Sequence, residues 1–187
     1  GGLVRRAESD EAKAYSLFRW MTAHIEYDVR AYLRGSGTLD VSPEHVLRSG
    51  KSVCQGYSNL YQRLCEEVGL EAITISGFAR GVGYQIGEPV SEQNHAWNAV
   101  RLASAWHLVD VTWGAGHLED GRRYVKRFEP HYFLTRAELF VMDHFPADPE
   151  KQLLPQPLTK AAFDTQPEVK PGYHRYGVEM ESHHSTP

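Results

Sequence analysis

The sequence predicts a protein of the α+β class, in which helical segments early in the chain are followed by antiparallel strands. Two segments, 9–28 and 51–70, carry apolar residues at helical spacing. Two later segments, 95–102 and 106–113, have the composition of strands and are joined by the short connector Ala-Ser-Ala. Such a short connector favours an antiparallel pair.

Composition is that of one globular domain with a substantial core. Of the 187 residues, 41% are hydrophobic and 24% are charged. The net charge is −4, the isoelectric point is near 6.2, and Lys and Arg form no block. Neither nucleic acid nor an anionic membrane surface is therefore expected as the main partner. No apolar run approaches the length of a membrane span, and the first residues do not have the pattern of a secretory signal.

The chain contains two cysteines, Cys54 and Cys65, eleven positions apart in the same predicted helix. At the helical rise they are separated by about 16 Å, which is beyond the reach of a disulfide. Two free thiols indicate a reducing compartment, so we expect a cytosolic protein.

The segment 51–70 brings Cys54 to the first turn of a helix that Gly69 ends. Free backbone N–H groups and the positive end of the helix dipole favour an anion at this position. Because a thiolate is an anion, the position lowers the pKa of a cysteine and makes it a better nucleophile. The alternative is that Cys54 is an inert buried thiol, as most cysteines are.

The remaining elements are predicted from caps, glycines and β-branched residues. Helix 9–28 has Ser9 or Asp10 as its cap, and residues 29–41 are predicted to form a loop. The Ser-Pro-Glu sequence at 42–44 begins a short helix that Gly50 ends. Residues 71–79 predict a strand. Residues 81–94 predict a glycine-rich loop that is either a substrate-binding flap or a plain connector.

The last part of the chain is predicted to be less regular. Residues 122–133 include a third strand, and the segment 135–138 has the pattern of a capping box that opens a helix through Met142. The proline-broken segment 144–155 predicts an irregular closing segment. From residue 156 the chain is expected to continue as an extended strap to residue 187, with a further β-element over 176–181.

His95 and Asp110 are the candidates to complete a catalytic set with Cys54. If the strand pair is centred near residue 104, Asp110 lies about three residues from the position opposite His95, within diagonal reach. A charge between Val109 and Val111 is unusual in a buried strand unless it has a partner. In such a set the thiolate attacks an acyl carbon, the histidine protonates the leaving amine, and the aspartate orients the imidazole. The alternative is an ordinary histidine at a strand end.

Several runs together resemble the transglutaminase-like superfamily: VCQGYSNLYQRLC, ISGFARGVGY, NHAWNAV and WHLVDVTWGAG. The later runs HYFLTRAELFVMDHFP and QLLP resemble more narrowly its kyphoscoliosis peptidase branch. The resemblance covers residues 20–155 and implies a papain-like α+β core, with the nucleophile helix packed on an antiparallel sheet. It assigns Cys54 as nucleophile, His95 as general base and acid, and Asp110 as the orienting residue.

The sequence also departs from patterns found in related enzymes. Calcium-dependent crosslinking transglutaminases carry a tryptophan directly after the nucleophile, whereas this chain has Gln55, and it has no acidic loop of the EF-hand type. We therefore expect no cofactor and no calcium requirement. The segment 45–53 has no glutamine to serve as a papain-type oxyanion donor, so the backbone N–H of Cys54 is a candidate donor. Gln55, Trp97 and Trp113 are further candidates for oxyanion or substrate contacts, although the tryptophans are also typical core residues.

Three functions follow from this reading. The first is a cysteine peptidase that acts on a protein amide, and the second is the same acyl chemistry with an amine acceptor. The third is a binding or scaffold module with a silent triad. The resemblance implies a cytoplasmic, cytoskeleton-associated setting in muscle and a protein substrate. It also implies a catalytic domain over 1–155, followed over 156–187 by the strap or the start of a β-rich domain. His174, His183 and His184 lack the spacing of a dedicated metal site, so none is predicted.

Overall fold

The computed structural model describes residues 2, 4, 7–35 and 39–167. The helices in this part of the chain are α1 (Asp10–His24), α2 (Val29–Arg34), α3 (Pro43–Ser49), α4 (Cys54–Glu67), α5 (Val111–Ala115), α6 (Ala137–Phe140) and α7 (Lys160–Thr165). Its strands are β1 (Glu26–Tyr27), β2 (Lys51–Ser52), β3 (Ala72–Ala79), β4 (His95–Leu102), β5 (Ala105–Val109), β6 (Gly116–Glu119), β7 (Arg123–Lys126), β8 (Phe133–Thr135) and β9 (His144–Pro146). Single-turn 3-10 helices cover Pro130–Tyr132 and Pro149–Gln152. Among the described helices, none combines the length and the hydropathy of a membrane span.

The N-terminal helix begins as the sequence predicts but ends earlier. The Ser9 hydroxyl accepts the backbone N–H of Ala12 at 3.1 Å and caps α1. The helix ends at His24 instead of residue 28, because β1 forms a short parallel pair with β2. That pairing ties the end of α1 to the strand that precedes Cys54.

The loop predicted over 29–41 is partly wrong, because its first residues form α2. The Asp28 carboxylate accepts the backbone N–H of Ala31 at 3.0 Å and caps this helix. By contrast, α3 follows its predicted cap at Ser42 and ends at Gly50, whose φ of 69° is in the left-handed region.

Helix α4 begins at Cys54, as predicted, and is anchored to α1 by two buried tyrosines. The hydroxyl of Tyr57 donates to the carbonyl of Ile25 at 2.8 Å, and that of Tyr61 donates to the carbonyl of Ala14 at 3.3 Å. At its other end, Gly69 adopts a φ of 79°. These contacts hold the first turn of α4 in a defined place beside the sheet.

Within the described residues, the main sheet has five strands in the order β8-β5-β4-β3-β9, and every neighbouring pair is antiparallel. One face packs against α1 and α4, and the core there includes Leu17, Leu60 and Val100. The other face packs Trp97 and Leu108 against aromatic residues of the C-terminal segments. The sheet is therefore buried on both faces, and α4 lies across its centre.

The predicted pairing of β4 with β5 is confirmed, with Asn98 opposite Val109. The prediction of strand through residue 113 is wrong, because β5 ends at Val109 and α5 follows after one residue. Asp110 caps α5 by accepting the backbone N–H of Trp113 at 3.0 Å. The aspartate therefore interrupts the strand.

The C-terminal third contains further differences from the sequence prediction. The strand predicted within 122–133 is divided into β7, which pairs with β6, and β8, which pairs with β5. The capping box over 135–138 is wrong: the Thr135 hydroxyl donates to the carbonyl of His131, and the cap residue Arg136 makes no side-chain cap bond. The segment 144–155 is not wholly irregular, because β9 forms the edge of the main sheet beside β3.

The described part of the predicted strap is not extended throughout, because it contains α7. Phe163 of α7 is fully buried, and its ring centroid lies 5.4 Å from that of Phe145. The β-element predicted over 176–181 lies outside the described residues, as do His174, His183 and His184. The domain boundary after residue 155 stays a prediction.

Candidate active site

Cys54 is the first residue of α4 and is partly exposed. The N-cap residue, Val53, contributes no side-chain cap bond. The unpaired backbone N–H groups of the first turn therefore remain available to stabilise negative charge near the sulfur. The backbone N–H of Ala96, on strand β4, also contributes to lowering the pKa of the Cys54 thiol.

His95 connects Cys54 to Asp110. It is the first residue of β4, and its Nε2 atom lies 2.7 Å from Oδ2 of Asp110. The His95 side chain also acts on Cys54, where it lowers the pKa of the thiol. Since Nε2 is occupied by the aspartate, Nδ1 is the ring nitrogen that faces the thiol. The side chain of His95 is only 7% exposed.

Asp110 reaches His95 because it lies just beyond the end of β5. Its carboxylate is completely buried, its Oδ1 accepts the backbone N–H of Trp113, and its Oδ2 accepts from His95. The sequence predicts this contact from a diagonal position on a longer strand pair. In the structure the contact depends instead on the helix cap that ends the strand.

The electrostatics of this line favour a charged pair of Cys54 and His95. Burial raises the pKa of the Cys54 thiol, but the hydrogen bond and charge of His95, with the N–H of Ala96, bring it below its usual value. Burial also lowers the pKa of His95, but Asp110 and Cys54 raise it to about 10. The two histidines beside Asp110 overcome the effect of its burial and hold its pKa well below the usual range. These shifts all favour the charged forms of the three groups: thiolate, imidazolium and carboxylate.

Cys65 lies on the same helix but lacks these partners, and its pKa shifts in the opposite direction. It is fully buried on α4, and burial raises its pKa to about 12. The two thiols of this chain are therefore opposite cases, one activated and one suppressed.

A second histidine, His144, lies behind Asp110 and was not identified from the sequence. Its Nε2 atom is 3.0 Å from Oδ2 of Asp110, and its Nδ1 atom is 2.5 Å from Oδ1 of Asp143. The signal in the sequence is the charged pair Asp143-His144 between apolar Met142 and Phe145, the same oddity that singles out Asp110. Because the sequence predicts an irregular segment over 144–155, it does not place His144 beside the sheet.

A cavity of about 670 Å³ opens beside His95. Its wall includes four tyrosines, Tyr27, Tyr32, Tyr124 and Tyr132, and the indole of Trp113. A space of this size, rich in aromatic surface, suits the side chains of a peptide.

The three further contact candidates have different surroundings. Trp113 lines the cavity, and its ring centroid is 5.1 Å from that of His95. Trp97 lies in the core at 1% exposure, with its ring against His144 and Phe140. Because it is buried, it has no surface to offer a substrate. The amide of Gln55 donates to Oδ1 of Asn59 at 2.8 Å, one turn along α4.

Among the described residues, His95, Asp110 and His144 place three metal-ligand atoms within 4.8 Å of one another. Both Nε2 atoms, however, approach the same carboxylate oxygen at hydrogen-bond distance, so each carries a proton there. A protonated ring nitrogen has no lone pair for a metal ion. The arrangement is therefore that of an acid–base chain.

Comparison with known proteins agrees with this architecture. The model of the Transglutaminase-like superfamily matches residues 1–111. The chain is 36% identical over 178 residues to kyphoscoliosis peptidase of Mus musculus, covering 94% of this chain and 27% of that protein. It is 33% identical over 195 residues to hillarin of Drosophila melanogaster, covering 94% of this chain and 23% of that protein. It therefore spans about a quarter of the length of these relatives.

One solved structure, described as a TGase, is similar to 68% of this chain and 30% of its own, with 22% identity and a TM-score of 0.47. The family match over more than half of the sequence is the stronger finding. Together with the helix-on-sheet arrangement, it identifies this chain as a member of the transglutaminase-like superfamily, with the α+β fold of that family.

Proposed function

We propose that this chain is a cysteine-dependent acyl-transfer enzyme in which Cys54, His95 and Asp110 form the catalytic triad. One observation carries the proposal: Cys54, a partly exposed residue at a helix N-terminus, has its thiol pKa lowered by His95, whose Nε2 atom lies 2.7 Å from the buried carboxylate of Asp110. This geometry provides a nucleophile, a proton carrier and an orienting group in the order that acyl transfer needs.

In the first half of the reaction, the Cys54 thiolate attacks the carbonyl carbon of an amide and forms a tetrahedral oxyanion. The backbone N–H of Cys54 is the proposed oxyanion donor. As the oxyanion collapses, the carbon–nitrogen bond breaks and His95 gives its Nδ1 proton to the leaving amine. Cys54 then carries the acyl group as a thioester, and His95 is neutral.

In the second half, His95 removes a proton from the acceptor as the acceptor attacks the thioester. Water yields a carboxylic acid and a primary amine yields a new amide, and either route returns Cys54 as thiolate beside protonated His95. Asp110 holds Nε2–H of His95 throughout, so Nδ1 keeps facing the sulfur.

We propose hydrolysis of a protein substrate as the main reaction. Two observations support this choice: the chain is similar to proteins named kyphoscoliosis peptidase, and the cavity beside His95 is lined by aromatic side chains suited to a peptide. The amine-transfer reaction is the alternative within the same chemistry. Gln55 sets this chain apart from the calcium-dependent crosslinking transglutaminases, which carry a tryptophan directly after the nucleophile. A cytoplasmic, cytoskeleton-associated setting stays a prediction.

The test is a product assay with an unfolded protein as the acyl donor, with and without a fluorescent primary amine. Mass spectrometry would count new C-termini and amine adducts for the wild type, Cys54→Ala and Cys65→Ala. We expect new C-termini that require Cys54 and persist in Cys65→Ala. Amine adducts without cleavage would instead support amine transfer. Neither product, from a protein whose Cys54 still reacts rapidly with iodoacetamide, would support a silent scaffold.

A further inference from the structure

The triad continues beyond Asp110 into a buried second pair, His144 and Asp143. Oδ2 of Asp110 accepts from both histidines, from His95 at 2.7 Å and from His144 at 3.0 Å. The other nitrogen of His144 meets the carboxylate of Asp143 at 2.5 Å. His144 is completely buried, so water does not compete for either ring nitrogen.

These contacts define the protonation of His144. A carboxylate oxygen only accepts hydrogen bonds, and both ring nitrogens of His144 face carboxylate oxygens. Each nitrogen therefore carries a proton, and the ring is an imidazolium between two negative charges. Burial lowers the pKa of His144, but Asp143 and Asp110 together raise it above its usual value. Opposite charges then alternate along the line from Cys54 to Asp143, which offsets the cost of burying each of them.

The surrounding side chains hold the His144 ring in one orientation. Its centroid lies 4.1 Å from that of Phe140, in a stacked arrangement, and 4.4 Å from that of Trp113. Asp143 is fixed in turn, because the hydroxyl of Tyr132 donates to its Oδ2 at 3.0 Å. The backbone of Asp143 also accepts the N–H of Arg80 at 2.9 Å. A ring packed in this way cannot turn without moving the core.

We propose that His144, held by Asp143, is a positioning residue for the triad that keeps Oδ2 of Asp110 directed at His95. This inference rests on the proposed function, because it assigns His144 a part in preparing Cys54. His144 touches neither substrate nor sulfur in this reading, and it acts through Asp110. Without it, the carboxylate keeps only the Trp113 N–H on Oδ1 and His95 on Oδ2, and its hold on His95 weakens.

The titratable groups that face His144 come from several elements. Asp143 precedes it on the chain, Asp110 lies before α5, His95 begins β4, and Tyr132 ends the first 3-10 helix. Asp143 is the informative one, because it contacts His144 but not His95 or Asp110 in this network. The direct route from Asp143 to Asp110 therefore passes through His144, and the second route passes through Tyr132, whose carbonyl accepts the backbone N–H of Asp110 at 2.9 Å.

The first test is the pH dependence of Cys54 alkylation by iodoacetamide in His144→Phe, His144→Gln and Asp143→Ala. We expect His144→Phe to raise the midpoint by about one pH unit, since it removes one net hydrogen bond from the chain behind the thiolate. His144→Gln keeps an N–H donor and should restore most of the wild-type midpoint. Asp143→Ala should move it in the same direction as His144→Phe, by a smaller amount.

Leu17→Ala is the matched stability control. Leu17 is 1% exposed in the core beside α4 and is not part of the hydrogen-bonded line, so the substitution destabilises the fold without touching Asp110. Its alkylation midpoint should match that of the wild type. If His144→Phe and Asp143→Ala also keep the wild-type midpoint, His144 only fills space and the proposal is overturned. If His144→Phe does not fold, the Asp143→Ala profile still decides between these outcomes.

A second readout does not depend on Cys54 being reactive. In protein labelled with ¹⁵N-histidine, NMR should show His144 doubly protonated at pH 7, and the His95 ring signals should shift in Asp143→Ala. Unshifted His95 signals would overturn the positioning role whatever the enzyme does. Conversely, shifted His95 signals in a protein whose Cys54 reacts no faster than Cys65 would uphold positioning and reject the proposed function.

Discussion

At the scale of single residues, the surroundings shift the pKa values of two cysteines on one helix in opposite directions. Cys54 has the helix N-terminus, the Ala96 N–H and His95 beside its sulfur, whereas Cys65 is fully buried and its pKa is raised to about 12. The type of residue is the same, and the difference lies in the neighbours. This makes Cys65 an internal reference for the reactivity of Cys54.

We therefore predict that iodoacetamide modifies Cys54 at least about 100-fold faster than Cys65 at pH 7, because the thiolate is the reacting form. Peptide-resolved mass spectrometry of the native protein measures both rates in one sample. His95→Ala should remove most of the advantage of Cys54, because it removes the partner that lowers the pKa of the thiol. Equal rates for the two thiols would mean that the site is not activated.

We expect the neutralisation of Asp110 to cause the largest loss of unfolding free energy and of acyl-transfer rate. Asp110→Asn preserves shape but leaves two buried histidines without their shared anion. Removing one partner of a buried charge pair costs about 3 kcal/mol of unfolding free energy, and the loss of the orienting carboxylate should slow acyl transfer by about 10³-fold or more. Urea unfolding and the product assay measure the two effects. A variant with normal activity would exclude Asp110 from the triad.

Stability should also depend on pH through this line. The pKa of His95 is raised to about 10 in the fold, so its stabilising contribution is complete below its unfolded pKa of about 6.5 and disappears as pH rises through 10. The pKa of Asp110 is lowered, so its contribution is present above about 3.9 and disappears as pH falls further. Melting temperature across pH 2 to 11 should show the alkaline loss and the beginning of the acid loss in the wild type. Asp110→Asn should flatten the acid side, and an unchanged acid limb would contradict the assignment.

At the scale of elements, the position of α4 depends on close packing behind the nucleophile. Gly56 lies in the first turn, and a Cβ built there would be 2.0 Å from Oγ of Ser52 and 3.0 Å from Cγ2 of Val46. Glycine at this position lets α4 approach β2 and α3 closely enough to bring Cys54 beside β4. Glycine is needed there because there is no space for a side chain. Its backbone conformation is not the reason, because Gly56 has an ordinary helical conformation.

Gly56→Ala should lower the free energy of unfolding by about 1–3 kcal/mol through overpacking. It should also displace Cys54 from His95, which would raise the pH midpoint of Cys54 alkylation. Gly2→Ala is the control, because it is the same substitution at a position where nothing lies within 4 Å of the added Cβ. Chemical unfolding and the alkylation profile test both parts, and wild-type behaviour of Gly56→Ala would show that α4 tolerates the shift.

At the scale of the whole molecule, the line of residues from Cys54 to Asp143 is assembled from segments that are far apart in the chain. The first turn of α4, the start of β4, the cap of α5 and the edge strand β9 each contribute one residue or one pair. The antiparallel sheet brings these termini to one end. Helix α7 then closes the opposite side of the edge strand, where Phe163 packs on Phe145 and the Arg80 guanidinium donates to the Phe163 carbonyl.

The packing of α7 allows the domain boundary predicted after residue 155 to be tested by mutation. If α7 is part of the folded unit, Phe163→Ala should lower the free energy of unfolding by about 3–5 kcal/mol, as truncation of a buried phenylalanine does. The partly exposed Phe128 provides a comparison at which the same change should cost much less. A small effect at Phe163 would indicate that the segment after residue 155 is separable from the domain predicted over 1–155.

The sequence by itself determined the parts of this protein that depend on local chemistry. Helical spacing and Gly69 define α4, β-branched composition defines β3, and the short connector defines the β4–β5 pair. The isolated charge of Asp110 among valines indicates a buried partner, which the structure shows to be His95. Each of these signals lies within a few residues, so a pattern along the chain can record it.

Tertiary structure alone decided how these parts meet. Strand β5 stops at Val109 because the Asp110 carboxylate caps the next helix, and β9 exists because β3 offers it an open edge. His144 is part of that edge strand, and it lies 34 positions from Asp110 in the sequence. Short strands and buried charge networks take their stability from distant partners, so local sequence preferences cannot specify them.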